Sequence, residues 1–151
     1  MSWQAVFQER ARALVVDQAK QHDIEIRSVD EIEQDRPKDA AGALALADEE
    51  VGDGIIWIPE VRSYIGLATA LHEIGHVVLG HCAPRAKKHS ALQELDAWWY
   101  ARKLFADHDF PWVPSVRADV RRTLVLHIEQ ELTDEERATL PPGLRALVDL
   151  L

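Results

Sequence analysis

The chain has no asparagine and only one cysteine, Cys82, among its 151 residues. Without Asn there is no N-glycosylation sequon. With one thiol no intrachain disulfide can form, so a reducing compartment is favoured. Cys82 itself reads as a small, inert thiol near a helix end rather than a metal ligand. No apolar run is long enough to span a bilayer. The first twenty residues carry Glu9, Arg10, Arg12 and Asp17, and read as an amphipathic helix rather than a targeting signal. Dense Lys/Arg blocks are also missing and the net charge is −9. The small basic group Arg117, Arg121 and Arg122 reads as a solvated helix face, so nucleic acid is not an expected partner. Together these absences lead to the expectation of a cytoplasmic protein that neither crosses a membrane nor binds nucleic acid. With no repeat, low-complexity tract or linker, residues 1–151 are read as one domain large enough to bury a core.

What is present is helical periodicity, interrupted by one β region. Trp3, Phe7, Ala11 and Leu14 recur at helical spacing behind Ser2, a potential N-cap, and predict a helix over 2–21. Ile24-Glu25-Ile26 alternates like a short strand, and the charged stretch 30–38 reads as a helical turn or a loop. The segments 42–47 and 54–58 flank turn-rich residues 48–53 and predict a β-hairpin that Pro59 ends. Ile55-Ile56-Trp57-Ile58 is apolar throughout, as expected for a strand covered on both faces. A helix follows from about Tyr64 to Gly80, with Leu67, Leu71, Ile74, Val78 and Leu79 on its apolar face and Gly80 as its stop. A polar loop leads to Ser90, the expected N-cap of a helix reaching about Asp107, with Leu92, Leu95, Trp99 and Phe105 as core candidates. After the break at Pro111-Trp112-Val113-Pro114, Ser115 is expected to cap a third long helix carrying Val116, Val120, Leu124 and Ile128. Thr133 and Glu136 form a capping-box signature, and Pro142 opens a last helix with Leu144, Leu147, Leu150 and Leu151. The fold class is therefore α+β: mostly helical, with a small antiparallel sheet or hairpin ahead of the helix over 64–80.

That helix carries the chemistry. Leu71-His72-Glu73-Ile74-Gly75-His76 contains an HExxH motif. Residues four apart share a helix face, so His72 and His76 can bind one zinc ion together, with Glu73 beside them as a base for an attacking water. A shuffled chain of this composition would contain the motif about once in forty trials. Its setting in a helix preceded by a strand argues against chance.

A catalytic zinc site needs a third protein ligand and an open position. Glu94 and Asp96 lie on the next helix, two residues apart and so about 200° apart around it, which lets only one face the metal. His81 would have to fold back from beyond the helix end, and His89 lies in the loop. Glu94 is favoured, although spacing alone weighs equally for a solvated helix residue. Tyr64, Tyr100, His81 and His89 are each chemically able to assist at the substrate carbonyl. The strand over 54–58 is expected to pair with substrate backbone. Trp99 is expected in the core, and Trp98 and Trp112 are candidates for lining a cleft or interface.

The run Ala70-Leu71-His72-Glu73-Ile74-Gly75-His76-Val77-Val78-Leu79-Gly80-His81 resembles the active-site helix of the ImmA/IrrE metallopeptidases. The stretch from Glu94 to Leu104 resembles the second motif of that family, and the resemblance covers about residues 42–114. It implies a zincin-like, gluzincin-type fold in which His72, His76 and Glu94 bind zinc and Glu73 is the catalytic base. It also implies regulatory proteolysis of a protein substrate such as a helix-turn-helix repressor. One position departs: the family carries Asn or Asp four residues after the ligand Glu, and this chain has Trp98. An indole has a donor and no acceptor, so it cannot receive the ring proton of a zinc-bound histidine. With no Asn in the chain, that role must pass to Asp96, another carboxylate, a backbone carbonyl or water. Two alternatives follow: a non-catalytic zinc-binding regulator acting through protein–protein contacts, and a helical protein whose HExxH is accidental.

Overall fold

The computed structural model describes residues 1–28, 44–46, 54–81, 89–138 and 142–151. Helix α1 (Trp3–Gln21) starts where Ser2 Oγ accepts the N–H of Ala5 at 3.2 Å. It buries Phe7, Ala11, Leu14, Val15 and Ala19, while Trp3, although in phase with that stripe, stays 69% exposed. Strand β1 (Ile24–Ser28) follows, then β2 (Leu44–Leu46) and β3 (Gly54–Ile58). The expected segment 30–38, the hairpin turn 48–53 and Cys82 lie outside the described residues.

The three strands form one sheet in the order β1-β3-β2. β2 and β3 run antiparallel, as the hairpin reading expected, with Ala45 opposite Ile56. β1 pairs with β3 in parallel, with Ile26 opposite Ile56, so the sheet is mixed rather than antiparallel. This corrects the reading of 54–58 as the strand that receives a peptide. β3 is the central strand and its backbone donors and acceptors are committed on both sides. All five of its residues are buried. Ile56 and Ile58 point into the helical core, and Trp57 points the other way, with the Arg27 guanidinium 5.5 Å from its ring centroid.

Helices α2 (Tyr64–Val78), α3 (Ala91–Asp107), α4 (Pro114–Glu131), α5 (Asp134–Ala138) and α6 (Pro142–Leu150) complete the chain. α2 packs on α1, on β2 and β3, and above all on α3. Their apolar faces meet in one core, in which Leu67, Leu71, Ile74, Leu95, Ala101, Phe105, Val116 and Leu124 are buried. Several assignments shift by one or two positions. Leu92 is 61% exposed, because the buried stripe of α3 runs through Ala91, Leu95 and Trp98 instead. Ser115 is not the cap of α4. Val113 holds that position and Pro114 supplies the first turn, where a missing N–H costs nothing. In α6 the buried residues are Val148 and, just past the helix, Leu151, while Leu147 and Leu150 are exposed. The last carbonyls of this helix are met by Arg121 at Asp149, Arg102 at Leu150 and the Trp112 indole N–H at Leu151. The expected capping box is present between Thr133 and Glu136.

Three helices end on a left-handed residue. Gly80 (φ 72°) ends α2, while Asp23 (φ 54°) and Asp109 (φ 57°) do the same after α1 and α3. Asp tolerates this conformation better than most side chains, so the two aspartates stand where glycine is the usual signal. No helix among the described residues is long and apolar enough to cross a membrane.

Candidate metal centre

The centre begins with the termination of α2. Gly80 N–H bonds the carbonyl of Val77 at 3.1 Å and His81 N–H bonds that of His76 at 2.8 Å. This paired closure needs the left-handed Gly80 and turns the chain back over the last helical turn. His81 therefore comes to rest with Nδ1 3.2 Å from Nδ1 of His76.

The second half is the start of α3. Ser90 Oγ accepts the N–H of Gln93 at 3.2 Å, and Gln93 Oε1 accepts the N–H of Ser90 at 3.0 Å, closing a reciprocal cap. The free N–H of Ala91 is taken by Glu131 of α4 at 2.6 Å. Glu94 thus sits in the first turn of α3, where the positive end of the helix favours a carboxylate. Gly75 lets the two helices meet. A Cβ there would stand 3.0 Å from Tyr100 Cδ1 and 3.2 Å from the carbonyl oxygen of Ala97. The glycine inside the HExxH motif is thus what allows α3 to approach the histidine face of α2.

Across this contact Glu94 Oε2 lies 2.7 Å from His72 Nε2, and Glu94 Oε1 lies 3.3 Å from His76 Nε2. The two imidazole Nε2 atoms are 3.1 Å apart. His72, His76 and Glu94 are all buried, each with a ligand atom within 4.8 Å of the others, and together they can hold a metal ion. Asp96 is exposed and is not part of this group, consistent with the angular argument that only one of the two carboxylates can face it. His72 Nδ1 lies 3.2 Å from Glu73 Oε1. The acceptor that Trp98 cannot provide is therefore the neighbouring Glu73.

The electrostatics follow from this geometry. Burial alone would pull the His72 pKa down, but hydrogen bonds and attraction from Glu73 and Glu94 outweigh it and raise the value to about 9. A value that high favours the doubly protonated imidazolium of His72 at neutral pH. Burial would raise the Glu94 pKa, yet its contacts with His72 and His76 hold it well below the usual carboxylate range. Burial and repulsion from His76 lower the pKa values of both His81 and His89. His76 meets His81 through Nδ1 and Glu94 through Nε2.

Two rings wall the group. Trp98, one turn along α3 from Glu94, stacks on His72 with centroids 4.0 Å apart and planes 18° apart. His89 stacks on His76 at 3.7 Å and 10°. Trp98 is 3% exposed with its ring laid on His72, and Trp99 is only partly buried, with Arg102 over its ring. Of the pair, Trp98 is thus the fully buried one, and Trp99 packs against the core from its margin. Trp112 is partly buried and packs edge-on against Phe105. The tyrosines lie away from the ligand atoms: Tyr64 packs on Phe7 at 4.6 Å, and the Tyr100 hydroxyl donates to Gln18 at 2.9 Å.

One neighbour had no signal in the sequence. His127 of α4 directs Nδ1–H to the carbonyl of Thr123 at 2.9 Å, and its Nε2 lies 3.7 Å from Glu94 Oε1. It is 33 positions beyond Glu94, on a helix that periodicity describes without saying where it docks.

Comparison of the chain with protein-family models, curated proteins and solved structures finds no match.

Proposed function

We propose that the chain is a zinc-dependent endopeptidase. The observation that carries this reading is the buried convergence of His72, His76 and Glu94, with the Glu73 carboxylate on the same helix. Two imidazole nitrogens and one carboxylate suit zinc, and three protein ligands are the number that leaves a position open. The sequence of strands, HExxH helix and glutamate-bearing helix supports a zincin-like fold.

His72 and His76 would hold the ion through Nε2, and Glu94 through its carboxylate. When bound, zinc supplies Lewis acidity toward a peptide carbonyl and makes water acidic enough to attack near neutral pH. Glu73 accepts the proton from that water and delivers it to the departing amine nitrogen. Its Oε1 also receives the Nδ1–H of His72, which leaves Oε2 for proton transfer. The stack of Trp98 fixes the plane of the His72 ring. An extended peptide would lie along the edge of the sheet marked by β2, which packs beside α2. The resemblance to ImmA/IrrE metallopeptidases supports a cytoplasmic protein substrate, such as a helix-turn-helix repressor.

A second reading is favoured by burial: His72, Glu73, His76 and Glu94 are only 5%, 7%, 1% and 5% exposed. It is a non-catalytic zinc-binding regulator that acts by protein contact. Glu73→Gln separates the two. Under the first reading the variant keeps about one zinc per chain and loses cleavage of its protein substrate. Unchanged cleavage would remove Glu73 from the mechanism, and unchanged cellular function with no cleavage by either protein would establish the second reading.

A further inference from the structure

We propose that the indole N–H of Trp98 is the centre's hydrogen-bond donor to a ligand oxygen, making contact with a carboxylate, a hydroxamate or the oxyanion that develops from a peptide carbonyl. This inference rests on the zinc-peptidase reading and adds a residue to it.

Trp98 Nε1 is buried and has no hydrogen-bond partner among the described residues. Folded proteins leave few buried donors in that state, because the group gives up water and receives nothing in return. Trp112 shows the ordinary outcome, with its Nε1 donating to the carbonyl of Leu151 at 2.8 Å. The orphan on Trp98 lies in the plane of a ring stacked 4.0 Å from the His72 imidazole, whose Nε2 reaches Glu94. It therefore borders the group that can hold a metal, on the α3 face that also presents Glu94.

Two of the other candidate donors, Tyr100 and His81, already have polar partners. The Tyr100 hydroxyl is bonded to Gln18 and His81 Nδ1 meets His76 Nδ1, while the Tyr64 ring packs on Phe7 and the His89 ring on His76. An indole N–H donates at every pH and offers no lone pair in the ring plane, so it suits an oxygen that stays an acceptor. It forms a hydrogen bond and transfers no proton, and Glu73 remains the proton carrier. The departure from Asn or Asp at this position thus removes an acceptor for His72 and installs a donor for the substrate.

The test uses the full-length, zinc-loaded protein labelled with 15N and the probe acetohydroxamate. The expected result is that one indole N–H resonance, assigned by its proximity to the His72 ring, moves downfield on saturation. Trp98→Phe keeps a ring on His72 and removes the donor. It should retain zinc and bind acetohydroxamate about tenfold more weakly, the loss of one hydrogen bond to an anionic group. An unmoved indole resonance at saturation, or equal affinity in the variant, overturns the proposal and leaves the zinc reading intact. A wild-type protein that takes up no zinc overturns both. If Trp98→Phe does not fold, the wild-type resonance decides alone.

Discussion

Glu94 and His72 stand 22 residues apart in the chain, yet the Glu94 carboxylate lies 2.7 Å from the His72 imidazole. On the zinc reading, metal binding would depend on this contact, which tests the ligand set directly. Glu94→Gln preserves shape and removes the charge. It should weaken zinc binding by more than the roughly ten- to hundredfold expected for a supporting residue. Competition with a chromophoric chelator measures this. Affinity equal to wild type would remove Glu94 from the ligand set.

Gly75 carries the approach of α3 to α2. Gly75→Ala places a methyl 3.0 Å from Tyr100 and 3.2 Å from a backbone oxygen of α3, and the backbone cannot yield by a rotamer change. The variant should lose about 1–3 kcal/mol of stability in urea unfolding. It should also bind zinc more weakly, because the displaced helix is the one that bears Glu94. A variant with full stability and affinity would show that the two helices separate without consequence.

His81 supports His76 through the 3.2 Å contact between their Nδ1 atoms. His81→Ala keeps the backbone turn that Gly80 makes and removes only the imidazole. Zinc affinity should fall roughly ten- to hundredfold, while far-ultraviolet circular dichroism stays unchanged. Loss of helix signal instead would identify His81 as part of the helix end and not as a support for the ligand.

The charge state of the centre predicts a pH dependence with two limbs. The His72 pKa is raised to about 9 from 6.5. Its contribution to the metal-free protein is therefore complete below about pH 6.5 and lost as pH rises through 9. The Glu94 pKa is depressed, so its contribution is present above the ordinary carboxylate range and lost as pH falls through that range and below. Because the lowered pKa values of His81 and His89 also cost stability as pH falls below the ordinary histidine value, melting temperatures of chelator-treated protein should peak at about pH 6.5. His72→Gln should flatten the alkaline limb. Near pH 7 zinc must displace the His72 proton, so calorimetry in two buffers of different ionisation enthalpy should report about one proton released per metal. No release would contradict the assigned charge state.

Much of this was local and therefore legible in the sequence. The four-residue spacing of His72 and His76 fixes their shared face, whatever the helix packs against. Gly80 ends α2 and Ser90 starts α3, because caps act within a turn or two of chain. The 200° separation of Glu94 and Asp96 let only one reach the metal, and the exposed one is Asp96. The mixed sheet was not legible, because the parallel pairing of β1 with β3 is non-local and nothing within either strand encodes its partner. Trp98 and Trp99 are chemically alike and adjacent, so 100° of helix rotation decides which is buried. That rotation is set by where α2 docks.

By itself the sequence determined the chemistry available: an HExxH helix, a capped second helix opening with Glu94, and no asparagine to support the histidines. Only the tertiary structure decided how that chemistry is arranged. It gave the support of His72 to Glu73, folded His81 back onto His76, brought His127 within 3.7 Å of Glu94 and laid Trp98 on the His72 ring. The physical reason is that spacing along a helix fixes direction, whereas distance between helices is fixed by what they bury, here through a glycine at the point of closest approach.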